Sequence, residues 1–155
     1  DPRARSENSI PVGALVSDEY RMSEAEAHSL ERLEPLLLVA VGGFTGAVAR
    51  HAVAVALPGG FPWGTLAVNV AGSFALGVLL FEAKIAGRLS TETRLVLGTG
   101  LLSSFTTYST FAVQTAALSP RLAVANVAAN YVLGFLAVVA GRTAVRSFAA
   151  PEVAG

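Results

Sequence analysis

Four stretches of about twenty mostly apolar residues follow one another between Pro35 and Arg146, and nothing else limits this chain so strongly. They run at about 36–57, 64–85, 94–118 and 121–143. An apolar helix of roughly 20 residues is long enough to cross the hydrocarbon core of a bilayer. Backbone polar groups at that depth find no water, so a spanning segment must satisfy them within itself, as a helix does. Connections between the stretches are short, which favours antiparallel neighbours. The expected fold class is therefore an all-α integral membrane protein with four transmembrane helices. Charge supports this: 14% of the 155 residues are charged, against about 25% in an ordinary soluble domain.

The flanks read differently. Residues 1–34 are polar and hold most of the acidic side chains. They contain no apolar core of the signal-peptide type. Ser23 and Glu26 have capping-box spacing, so a mobile tail followed by a short surface helix is expected there. The division is then 1–34 as a polar tail, 35–147 as a four-helix membrane domain and 148–155 as a C-terminal tail.

Several functions are disfavoured early. Formal net charge is zero, which argues against nucleic acid. Without cysteine there is no disulfide, thiolate metal site or thiol nucleophile. His28 and His51 are too far apart in sequence to suggest a metal site. No paired-carboxylate, Ser/His/Asp or phosphate-loop pattern occurs, so an enzyme is not expected.

Lys and Arg set an expected orientation. Arg32, Lys84, Arg88, Arg94, Arg142 and Arg146 fall on the face that holds both termini, and Arg121, with Arg50 if it snorkels, on the other. That bias places the termini in the cytoplasm of a multi-pass protein of the cell membrane, bathed in membrane lipid.

The polar residues inside the spans carry the functional signal, because such groups usually face a partner or water. Thr65, Asn69 and Ser73 are spaced i, i+4, i+8 on the second span. Asn126 and Asn130 are four apart on the fourth, with Gly134 next. On the third, residues 103–111 read SSFTTYSTF, with seven hydroxyls in nine residues. Tyr108 and Phe111 share a face there. So many side chains competing for backbone bonds, with Gly98 and Gly100 nearby, predict a break in the middle of the third span. The plain alternative is helix packing: small and hydroxyl residues often join membrane helices, and the Gly42/Gly46 pair reads as close packing alone.

The polar groups are neutral. Proton-coupled export needs a carboxylate at depth, and Glu82 near Lys84 reads as interfacial. Arg50 is the deep charge. A lining of N–H and O–H donors with aromatic ring edges suits an anion, and several weak neutral sites permit conduction.

Four motifs in register resemble the Fluc (CrcB-type) fluoride channels: GGFTGAVARH at 42–51, GTLAVNVAGSFALG at 64–77, GLLSSFTTYSTF at 100–111 and the Asn126/Asn130/Gly134 spacing. The resemblance covers about 36–146. It implies an antiparallel dimer of four-helix subunits with two fluoride pores and a structural sodium ion at the dimer centre. Where the third span breaks, the backbone carbonyls of Ser103 and Thr106 would hold that Na+. By the same resemblance Asn69 is the pore asparagine, and Tyr108 and Phe111 are the rings whose edges meet fluoride. Thr107 and Ser109 add hydroxyls to the anion pathway with Thr65 and Ser73. Asn126 and Asn130 form a polar track, and Arg50 lies near the pore vestibule. His51 replaces an aromatic residue, Tyr108 a phenylalanine, Ser103 a glycine and Gln114 a frequent glutamate.

The resulting expectation is a fluoride-selective channel that lowers cytoplasmic fluoride by passive export. The subunit is expected to work as a homodimer or, given the charge bias, with an oppositely oriented paralogue. The alternatives are a small four-helix multidrug exporter and a structural membrane assembly protein.

Overall fold

The computed structural model describes residues 12–149, with side chains from Leu33 to Phe148 apart from Ile85 and Ala86. Of the tails expected at 1–34 and 148–155, residues 1–11 and 150–155 lie outside the described residues. The chain divides into two compact units, one ending at Leu36 and the other beginning at Leu37.

Among the described residues every regular element is helical. Helix α1 is Val12–Ala56, α2 Trp63–Phe81, α3 Thr91–Arg94, α4 Ser103–Phe105, α5 Tyr108–Ala116 and α6 Pro120–Ala149. Two π-helical turns, Glu82–Ala86 and Leu95–Leu102, join α2 towards α3 and α3 to α4. Among the described residues, three segments are long and apolar enough to cross a membrane: Leu33–Ala56, Trp63–Lys84 and Pro120–Phe148.

One expectation needs correction. The short surface helix does not begin at Ser23, because α1 is already helical from Val12 and includes Pro35. From 14 to 34 the sequence has neither glycine nor proline to interrupt a helix. Pro35 removes one backbone donor but does not end the element.

The stretch expected as a third span is not one long helix. It runs through α3, the π-helical turn and α4, stops at two extended residues, then resumes as α5. Thr106 has φ −79° and ψ 157°, and Thr107 φ −150° and ψ 122°.

Packing in the second unit depends on missing side chains. A Cβ at Gly42 would overlap the Val96 carbonyl, and one at Gly46 the Leu101 carbonyl. The backbones of α1 and the π-helical turn therefore touch, as the Gly42/Gly46 spacing suggested. Helices α2 and α6 meet in the same manner, with a Cβ at Gly77 falling 2.5 Å from the Val138 carbonyl.

Polar and apolar side chains share the interior, while much of the outer surface is apolar. Asn126, Thr65 and Thr107 are buried, whereas Phe44 is 75% exposed and Val48, Val124 and Phe135 are also exposed. Apolar side chains facing outward and neutral polar side chains facing inward suit a hydrocarbon surround.

The loop after α2 is fixed by Glu82. Its Oε1 accepts the N–H groups of Arg88 at 2.6 Å and Leu89 at 2.9 Å, and its other oxygen lies 3.6 Å from the Arg94 guanidinium. Arg142 of α6 lies 5.0 Å over the Phe81 ring. Glu82 is thus a fastener at the end of α2.

Candidate functional site

The interruption at Thr106–Thr107 frees backbone groups, and Asn69 of α2 meets them. In an uninterrupted helix the Thr107 N–H would bond to the carbonyl four residues earlier, that of Ser103. It donates instead to Asn69 Oδ1 at 2.9 Å. Asn69 Nδ2 donates back to the Thr107 carbonyl at 3.2 Å. One amide therefore satisfies both backbone groups of a single extended residue. Thr107 in turn caps α5: its hydroxyl oxygen accepts the Thr110 N–H at 3.3 Å and donates to Thr110 Oγ1 at 3.0 Å.

From Asn69 the polar contacts continue into α6. Asn69 Nδ2 donates to Asn130 Oδ1 at 3.1 Å. Asn130 Nδ2 donates to Asn126 Oδ1 at 3.1 Å and to the Asn126 carbonyl at 3.0 Å. Asn126, fully buried, donates to Thr115 Oγ1 at 2.7 Å, and Thr115 donates to the Phe111 carbonyl at 2.6 Å. The chain of amides is closed and uncharged. Asn126 holds Asn130 from behind, and Asn130 helps to orient Asn69.

Three recesses surround this network. A recess of about 150 Å³ is lined by Asn69, Tyr108, Phe111, Asn130 and Tyr131. The Tyr108 and Phe111 rings are 5.9 Å apart, and Tyr131 meets Phe111 edge-on at 6.5 Å. A second recess, about 220 Å³, is lined by Arg50, His51, Thr65, Thr107, Thr110 and Gln114 among others. There Thr65 donates to Gln114 Oε1 at 2.6 Å. A third, about 350 Å³, has Asn69, Ser73, Ser103 and Thr106 in its wall.

The polar stripe of α2 therefore does not line one tube in this chain. Thr65, Asn69 and Ser73 open on successive recesses, with Asn69 shared by two. Ser109 is exposed, with its hydroxyl 3.4 Å from that of Thr107. Tyr131 was missed by the sequence reading. It lies one residue past Asn130, about 100° around the helix from the asparagine stripe, so periodicity hid it. Thr115 could have been found, since it follows Tyr108 and Phe111 at helical spacing.

The donor set where sodium is implied can be checked on the same geometry. The Ser103 hydroxyl donates to the carbonyls of Thr99 and Gly100, and the Thr106 hydroxyl to that of Leu102 at 3.0 Å. Those hydroxyls are occupied, while the Ser103 carbonyl has lost its helical donor to Asn69. Neutral carbonyl oxygens are suitable ligands for a monovalent cation, so the residues present fit such an ion.

Comparison with known proteins adds an independent line. Residues 37–142 match the family described as CrcB-like protein, Camphor Resistance (CrcB). The chain is 59% identical over 109 residues to the fluoride-specific ion channel FluC 1 of Natronomonas pharaonis, covering 70% of this chain and 92% of that protein. It is 53% identical over 125 residues to FluC 1 of Haloarcula marismortui, covering 81% and 96%. It is 36% identical over 123 residues to FluC 2 of Methanosarcina mazei, covering 79% and 96%.

Proposed function

This chain belongs to the CrcB-like family of fluoride-specific ion channels, which are not enzymes, and on that premise we propose that it is itself a fluoride-selective channel lowering cytoplasmic fluoride by passive export. The observation that carries this reading is the recess where the Asn69 and Asn130 amides meet the rings of Tyr108 and Phe111. Amide donors and positive ring edges stabilise an anion without a full opposite charge. Weak neutral contacts also let the ion leave, which conduction requires.

Each residue then has a role. Asn69 fixes the broken backbone at the wall of this recess, and its Nδ2, shared between the Thr107 carbonyl and Asn130 Oδ1, would turn the N–H it gives Asn130 towards a passing ion. Tyr108 and Phe111 present ring edges, and Asn126 and Asn130 hold the amide track. Thr107, Ser109, Thr65 and Ser73 supply hydroxyls along the path. Arg50 raises the local anion concentration at the approach. The direction follows from weak-acid trapping: HF enters by crossing the membrane and ionises inside, so fluoride accumulates there and flows out passively.

We also propose the assembly as a dimer of oppositely oriented subunits, four spans each. Na+ at its centre would be held by the Ser103 and Thr106 carbonyls, where it would lock the interruption in place. The Lys/Arg bias supports a subunit that inserts mainly with its termini in the cytoplasm and pairs with an oppositely oriented paralogue.

The test is efflux from liposomes holding the purified protein, read with a fluoride electrode and with chloride as control. Fast fluoride efflux with negligible chloride flux is expected. Equal rates for both ions, or no flux alone or with a co-expressed paralogue, would overturn the reading.

A further inference from the structure

Two consecutive residues of α6 reach the aromatic recess by different routes. Asn130 accepts from Asn69 Nδ2 at 3.1 Å, and Tyr131 stands against the Phe111 ring. Both line the recess together with Asn69, Tyr108 and Phe111. One helix thus brings an amide and a ring to the same place.

Phe111 is buried, and its side chain has no polar atom, so packing alone sets the angle of its ring. That ring lies 5.9 Å from Tyr108 at 47° and 6.5 Å from Tyr131 at 81°. The second pair has the T shape that ring quadrupoles favour, the edge of one ring on the face of the other. The backbone of Phe111 is tied to α6 as well. Asn126 donates to Thr115 Oγ1, and Thr115 donates to the Phe111 carbonyl. Helix α6 therefore holds Phe111 at both backbone and ring.

The ring angle matters to an anion because the edge of an aromatic ring is positive and its face negative. A ring that turned its face to the recess would repel what its edge attracts. Depth argues against a plainer role for Tyr131. Tyrosines anchored in the aromatic belts of a membrane protein sit at the water interfaces. Tyr131 lies about 16 Å along α6 from Pro120, at about 1.5 Å per residue, near the middle of the Pro120–Phe148 span.

We propose that Tyr131 is a positioning residue of the anion path, its ring fixing the angle at which Phe111 presents its edge to fluoride. The inference rests on the fluoride-channel reading and deepens it. The ring of Tyr131 performs this task and its hydroxyl does not. A T-shaped pair favours its own orientation by about two- to tenfold, and loss of the ring should lower conduction by a similar factor.

The test pairs single-channel fluoride current in planar bilayers with NMR of protein carrying isotope-labelled phenylalanine rings, the Phe111 signal being identified by its loss in Phe111→Leu. Single-channel current reads one open pore at a time, so a smaller folded fraction leaves it unchanged. Tyr131→Leu is expected to cut this current about two- to tenfold and to speed flipping of the Phe111 ring. Tyr131→Phe should restore both the current and the slow ring. Tyr131→Met, flexible and without a ring, makes the same comparison should the leucine variant not fold. Wild-type current or an unchanged Phe111 signal in the ringless variants overturns the inference, as does loss of current in Tyr131→Phe. Failure of both ringless variants to fold also overturns it, since the ring would then serve packing alone. Each of these results leaves the channel reading intact. Absence of fluoride current from the wild type removes that reading and this inference with it.

Discussion

Asn69 does two things with one side chain. It pairs both backbone groups of Thr107 and still lies at the wall of the aromatic recess. Replacing it by alanine leaves a partly buried N–H and C=O without partners, a loss of about 1–3 kcal/mol for each group left unmade. Asn69→Ala is therefore expected to lower the melting temperature in detergent and to cut fluoride efflux by about tenfold or more, equivalent to at least about 1.4 kcal/mol. A variant that melts lower but conducts at the wild-type rate would restrict Asn69 to holding the backbone. This residue was readable from sequence as a polar group at membrane depth. Its bond to Thr107, 38 positions away, was not, because a spacing pattern reports the face of its own helix and not what lies opposite.

At the scale of elements, the interruption between α4 and α5 organises the site. The hydroxyl-rich run SSFTTYSTF predicted a break, and the hydrogen bonds show why it is tolerated. The Ser103 and Thr106 hydroxyls turn back onto carbonyls of the preceding turn, Thr107 caps α5, and Asn69 takes the orphaned amide. Seven hydroxyls are thus divided between backbone repair and the recesses. Thr107→Val keeps the β-branched shape and deletes the cap, which should cost about 1 kcal/mol. Amide exchange at Thr110, whose N–H the cap accepts, is expected to speed up while exchange in α2 is unchanged. Thr107→Ser should restore slow exchange, and failure to do so would mean that the cap is not what holds the first turn of α5. The expected start of a helix at Ser23 shows the opposite limit: a capping box identifies a possible N-terminus, but uninterrupted helix-forming sequence upstream overrode it.

For the unit that begins at Leu37, apolar side chains of α1, α2 and α6 are exposed while Asn126, Thr65 and Thr107 are buried, so lipid or another subunit must cover much of that surface. Trp63, its ring tilted at 4.7 Å from that of Phe61 at the head of α2, suits the bilayer interface. If Na+ is held by the freed carbonyls, it binds the folded assembly alone and must stabilise it. The melting temperature should then rise as Na+ replaces a large organic cation at constant ionic strength. No response would remove sodium from the proposal and leave the interruption supported by Asn69 alone. Orientation has its own check. Tags at the termini should be found mainly on the cytoplasmic side, and equal insertion in both directions would favour a homodimer over pairing with a paralogue.

The sequence by itself determined the membrane class, three of the four apolar spans it led us to expect as long helices, the close contacts at Gly42 and Gly46 and the identity of most polar residues in the interior. Those properties follow from local composition and from the helical period, which any short window displays. The tertiary structure decided which polar residues meet. It joined Asn69 to Thr107 and Asn130, brought Tyr131 against Phe111, divided Thr65, Asn69 and Ser73 among three recesses and brought Arg50 into one recess with Gln114. Contacts between helices depend on how their faces rotate and cross, and that is fixed by packing across the whole bundle, not by the period of any one helix.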